Sequence, residues 1–85
     1  MPEGIEEYVP TAEEIAGHYS AALDSVSVIN GSAPEVESEP GEWKATLQRN
    51  VEHLEIMVAK SWMRGKDLSP LNAAISSGKA KIAAL

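Results

Sequence analysis

Two histidines, thirteen carboxylates and nine serines are the side chains of this 85-residue sequence that could take part in chemistry. His18 lies among alanine, glycine and tyrosine, and His53 lies between Glu52 and Leu54 on what reads as an exposed helix flank. Neither belongs to an HxxxH or HExxH spacing, which would set two ligands on one helix face around a metal. With no cysteine either, no metal site and no cofactor are expected, and both histidines read as structural. Glu6-Glu7 and Glu13-Glu14 are adjacent pairs. Neighbouring helical residues point about 100° apart, so such pairs do not converge on one atom. Glu35, Glu37 and Glu39 alternate with Val36 and Ser38 and would share one side of an extended segment, but they lack the Asp/Asn/Gly pattern of a calcium loop. They read as a solvated acidic arm. No serine sits in a GxSxG elbow, and Ser76-Ser77-Gly78-Lys79 lacks the GxxxxGK[ST] frame of a phosphate loop. The expectation is a protein that is not an enzyme and takes no small-molecule ligand.

The elements that carry these residues read as helices. Ala12, Ile15, Tyr19, Ala22, Leu23 and Val26 recur at three- and four-residue steps, predicting a helix over 12–26. Thr11 followed by Glu14 forms a capping box at its start, and Pro10 discourages helix at Val9. Residues 27–41, with Asn30-Gly31-Ser32 and the stretch from Pro34 to Gly41, read as an acidic loop. From 42 to 63, Trp43, Leu47, Val51, Leu54, Val58 and Trp62 line one stripe, widened by Ile56, Met57 and Met63, with Gly65 as terminator. Ser69-Pro70 then opens a helix over 70–85, with Ser69 as cap. Its seam is Leu71, Ile75, Gly78, Ile82 and Leu85. Gly78 admits two explanations, a close backbone approach or a plain weakness of about 1 kcal/mol against alanine. The intervening connector of four or five residues favours antiparallel neighbours. The fold expected is all-α: a helical hairpin from 42–63 and 70–85, with the 12–26 helix packed across it and extended acidic arms. Residues 1–10 form an N-terminal arm and 11–85 a single small domain.

A chain this short buries only about 60% of the surface it exposes when unfolded, so association is expected to complete it. Trp62 and Met63, with the Leu71, Ile75, Gly78, Ile82 and Leu85 seam, form the candidate protein interface. Charge is lopsided: residues 1–42 carry ten acids and no Lys or Arg, while 43–85 carry seven bases and three acids, for a net charge of −6. Such asymmetry can pair one half with the other, or one copy head to tail with a neighbour. The acidic start is the reverse of a signal peptide's. No stretch approaches the roughly 18 apolar residues of a membrane span, so a soluble, intracellular protein with no membrane partner is expected.

The stretch from Arg49 to Met57 (RNVEHLEIM), then Trp62, then Asp67-Leu68-Ser69-Pro70-Leu71-Asn72-Ala73-Ala74-Ile75 and Gly78-Lys79-Ala80 resembles the C-terminal half of small phage-encoded helical proteins. The resemblance spans about 40% of the chain, excludes residues 1–40, and rests on a packing pattern. It implies a non-catalytic structural or adaptor subunit of the virion or its assembly. Partners would be further copies or larger phage structural proteins, in the virion and, during assembly, in the host cytoplasm. The competing reading is a small helix-turn-helix-like DNA-binding regulator, from the cluster Lys60, Arg64, Lys66, Lys79 and Lys81 around the last two helices. The overall negative charge, and a presumptive reading helix that opens Pro70-Leu71-Asn72-Ala73 without base-contacting side chains, argue against nucleic acid.

Overall fold

A computed structural model describes residues 8–85. The N-terminal arm expected at 1–10 therefore lies outside the described residues as far as residue 7. Among the described residues the chain is all helical: α1 (Ala12–Asn30), α2 (Glu42–Val58), a single 3-10 turn (Ser61–Met63) and α3 (Ser69–Ala83). All three α-helices pack on one another as a small bundle.

α1 starts where its capping box sets it. The Glu14 amide donates to Thr11 Oγ1 at 3.2 Å, and the Thr11 amide donates to Glu14 Oε1 at 2.9 Å. It ends four residues later than its periodicity predicts. Val28 and Ile29, read as loop, are helical, and Ile29 is completely buried. The local sequence permits either conformation; burial of Ile29 one turn beyond Ala22 and Ser25 on the same face selects helix. α1 carries no basic residue in its last turn. Instead Lys81 of α3 donates its ammonium to the carbonyls of Ile29 and Gly31, placing a cation at the negative end of the α1 dipole. This lysine joins the two charge-lopsided halves through backbone carbonyls rather than through a carboxylate.

α2 begins without a side-chain cap from its own N-cap residue, Gly41, whose φ of 80° is in the left-handed region that glycine alone enters freely. The acidic loop supplies the missing acceptor: Glu37 Oε1 takes the Trp43 amide at 2.8 Å. The helix stops at Val58, five residues short of the end that the Trp62 stripe predicts, and Gly65 does not terminate it. Lys60 turns extended (φ −75°, ψ 127°), and the chain proceeds through three-residue turns. Nothing in Ala59-Lys60-Ser61 demands this. The break carries Met63 into the core, where it is fully buried, and lengthens the connection to 59–68. α3 starts at Ser69 itself, so its N-cap is Leu68 and not Ser69, and Asp67 Oδ1 just before it accepts the Ser69 amide at 3.0 Å.

The core consists of Ala22, Ile29, Leu47, Val51, Leu54, Met57, Met63, Leu71 and Ala74. One polar side chain, Ser25, is buried with them at 6% exposure, and its hydroxyl is 2.9 Å from His53 Nδ1. His53 is thus half-buried between α1 and α2 and not on an exposed flank. Gly78 is buried, and of its two explanations the close approach holds. A Cβ there would lie far inside contact distance of Val51 Cγ2 and 3.3 Å from Ile29 Cγ2.

Two glycine substitutions separate packing from helix propensity. Gly78→Ala is expected to lower unfolding free energy by about 1–3 kcal/mol through overpacking, despite alanine's better propensity. At exposed Gly17, where a Cβ meets nothing within 4 Å, alanine should raise it by about 0.5–1 kcal/mol. Urea unfolding followed by circular dichroism reads both.

Candidate functional site

The end of the bundle where α1 begins and α2 has ended holds most of the side chains with unusual surroundings. The capping box fixes the first turn of α1, and Tyr8 extends it by donating its hydroxyl to Glu14 Oε1 at 3.2 Å. That turn presents Ala12 and Ile15. The break after Val58 brings Trp62 opposite them, and Ala12, Ile15, Trp62, Gly65 and Lys66 line an open hollow of about 190 Å³. Trp62 is half-buried. Its ring is 5.2 Å from the His18 ring at 44°.

The 59–68 connection is fastened to α1 from the other side of Trp62. Tyr19 donates its hydroxyl to the Asp67 carbonyl at 2.7 Å, and the Lys66 ammonium stands 5.9 Å from the Tyr19 ring centroid. An ammonium at that range is attracted to the negative ring face. The amide of Thr11 holds the Glu14 carboxyl below the usual carboxylate range, helped by the Tyr8 and Thr11 hydroxyls and the nearby His18. The Ser69 amide does the same for Asp67. Loss of water, then the Glu14 charge, pushes the Tyr8 phenol up.

A second concavity of about 400 Å³ runs between α2 and α3, lined by Gln48, Val51, Glu52, Glu55, Lys79 and Ile82. Lys79 Nζ meets Glu55 Oε2 across it at 2.9 Å, with both side chains well exposed. Such a surface pair contributes little stability. The Ser25–His53 contact has the separation of an activated nucleophile and its base, but Ser25 is closed to any substrate. Among the described residues no group of three or more metal-ligating side chains comes together, and no helix is long and apolar enough to cross a membrane.

The candidate interface residues part company. Met63, Leu71 and Gly78 are interior to the single chain. As residues free for a partner they are corrected, because the α2 break and the three-helix contact use their surfaces already. Ile75 and Ile82 are partly buried against the same core, and Leu85 lies beyond the end of α3 at 62% exposure. Trp62 stays at the surface of the site. Glu35, Glu37 and Glu39 are exposed at the opposite end of the bundle, in the loop joining α1 to α2; the Glu37 carboxylate accepts the Trp43 amide, and the Glu39 carbonyl accepts the Glu42 amide. Sequence reasoning missed Ala12, Ile15, His18 and Lys66 as companions of Trp62. The capping box signals where α1 begins, but no local pattern says which later residue packs on its first turn.

No family model, curated protein or solved structure matches the chain.

The two depressed carboxyls make a pH prediction. Each contributes stability above its unfolded pKa, and that contribution is lost as pH falls through the lower folded value. Thermal midpoint should therefore hold near neutrality and drop below about pH 4. Glu14→Gln should lower the midpoint at pH 7 and shrink the drop on acidification, as differential scanning calorimetry across pH would read.

Proposed function

We propose that this protein is a non-catalytic structural or adaptor subunit of a phage particle, acting by protein–protein packing at the Trp62 corner. The observation that carries the reading is the half-buried indole over an open hollow lined by Ala12 and Ile15, at the end of the bundle where α1 begins. Tryptophan is the side chain most often found as an interface anchor, because it covers much area with few torsions to freeze. Here the ring is already steadied by His18, and its neighbours are tied to α1 through Tyr19 and Lys66, so docking would order little that is not ordered beforehand. The phage setting comes from the resemblance of 49–80 to small phage-encoded proteins. It implies a place in the virion and, during assembly, in the host cytoplasm.

The DNA-binding alternative draws on five cations, and the fold engages three of them. Lys81 caps α1, Lys79 pairs with Glu55, and Lys66 stands over Tyr19. The 59–68 connection is also longer than the tight turn of a helix-turn-helix reader. Both points favour the subunit reading.

Quantitative mass spectrometry of purified particles of the phage that encodes this chain should find it at a fixed ratio to the major capsid protein. Trp62→Ala, with its helical circular dichroism retained, should be depleted from them. Particles lacking the chain would overturn the reading. Salt-sensitive retardation of duplex DNA by the pure protein would move it to the alternative.

A further inference from the structure

The two ends of the bundle carry unlike surfaces. At one end, in the 31–41 loop, Val36 is 84% exposed, the most exposed large hydrophobic side chain among the described residues, and Glu35 and Glu37 flank it with Glu39 close behind. That loop has three acids and no cation. Glu37 gives one carboxylate oxygen to the Trp43 amide, which ties the loop to the first turn of α2 and holds its position. At the other end the Trp62 hollow has an apolar floor and Lys66 in its wall. Outside the lining itself, the 59–68 connection also carries Lys60 and Arg64 in its sequence, against the single acid Asp67, whose Oδ1 is taken by the Ser69 amide. On the α1 side of this corner stand Glu13 and Glu14, and Glu14 is held by Thr11 and Tyr8. The cationic wall is therefore the one formed by the connection.

A projecting apolar side chain among acids and an apolar hollow beside cations are complementary. They sit at opposite ends of a molecule about 50 Å long, so one copy cannot bring them together within itself. We propose that copies of this chain engage head to tail, with Val36 of one copy entering the Trp62 hollow of the next and Glu35 and Glu39 facing Lys60, Arg64 and Lys66. This rests on the reading of the Trp62 corner as a docking surface and names its occupant. The contact is heterologous: the two patches differ, so repetition produces a ring or an open row rather than a closed two-fold dimer. It is also small, at the weak end of specific contacts, and screened by salt. Free copies then associate only when concentrated, and a scaffold that aligns them would raise the effective concentration.

Sedimentation equilibrium of the full chain tests this. The weight-average mass should rise above the 9.1 kDa monomer at concentrations on the order of 1 mM, and should fall back in high salt. Two variants disable one end each. Val36→Asp acts on the exposed loop. Gly65→Leu fills the hollow from a position where a Cβ meets nothing within 4 Å. Each alone should remain monomeric at every concentration, with circular dichroism unchanged. An equimolar mixture keeps one intact interface and should form a heterodimer that grows no further. A wild-type chain monomeric throughout overturns the proposal, as does either variant associating like wild type, or a mixture that stays monomeric. Should the chain fail here yet remain at fixed ratio in particles, the head-to-tail contact is wrong while the Trp62 corner keeps its role toward a different protein.

Discussion

The three helices meet at Gly78. Ile29 from α1 and Val51 from α2 both reach the place where a side chain of α3 would stand, and the absence of that side chain lets all three axes close at one level. Around this point lie Ala22, Leu47, Leu54, Leu71 and Ala74. Small residues on two of the helices, Ala22 on α1 and Ala74 with Gly78 on α3, are buried, and Gly78 receives Val51 of α2. Close packing of this kind recovers dispersion contacts that a looser bundle of the same composition would forfeit. In a chain of 85 residues, where little apolar area is available to offset chain entropy, the arrangement depends on that junction.

The start of α1 is held by its own capping box, but other helix ends take their polar partners from elsewhere in the chain. α1 has no cation in its last turn and takes Lys81 from α3. α2 has a glycine at its N-cap and takes Glu37 from the loop before it. The connection after α2 is pinned to α1 by the Tyr19 hydroxyl on the Asp67 carbonyl and by Lys66 over the Tyr19 ring. The first two satisfy backbone groups that a helix terminus leaves open, and the last ties the connection to a neighbouring helix. The Trp62 corner is shaped by the third of these. Its indole lies across α1 because the connection is fastened there, so the surface read as a docking site is continuous with what holds the bundle shut.

This arrangement also redistributes the charges. Read along the chain, the cations of the second half form a block that invites a polyanion. In space three of them have separate engagements: Lys81 at a helix terminus, Lys79 against Glu55, and Lys66 over an aromatic ring. A sequence block is not a surface patch, and here folding separates the two. The acidic loop stands at one end of the bundle, and Lys66 stands in the wall of the hollow at the other.

Much of the architecture was legible in the sequence. Apolar residues at three- and four-residue steps specify helices, and Thr11 with Glu14 marks the start of α1, because these signals act over one or two turns. The same range explains Leu47, Val51 and Leu54 as the inner face of α2. Where an outcome depended on contacts between distant segments, the sequence was silent or misleading. Ile29 lengthens α1 because the other helices cover it. α2 breaks after Val58 although Trp62 continues its stripe, because the break sends Met63 inward and Trp62 across α1. His53 turns from a flank to Ser25, and Gly78 becomes a junction and not a weakness. Residue types and their period determine which segments are helical and roughly which face is greasy. Only the tertiary structure decides which of those faces is spent inside and which is left for a neighbour, since burial is settled by the mutual fit of segments that lie dozens of residues apart.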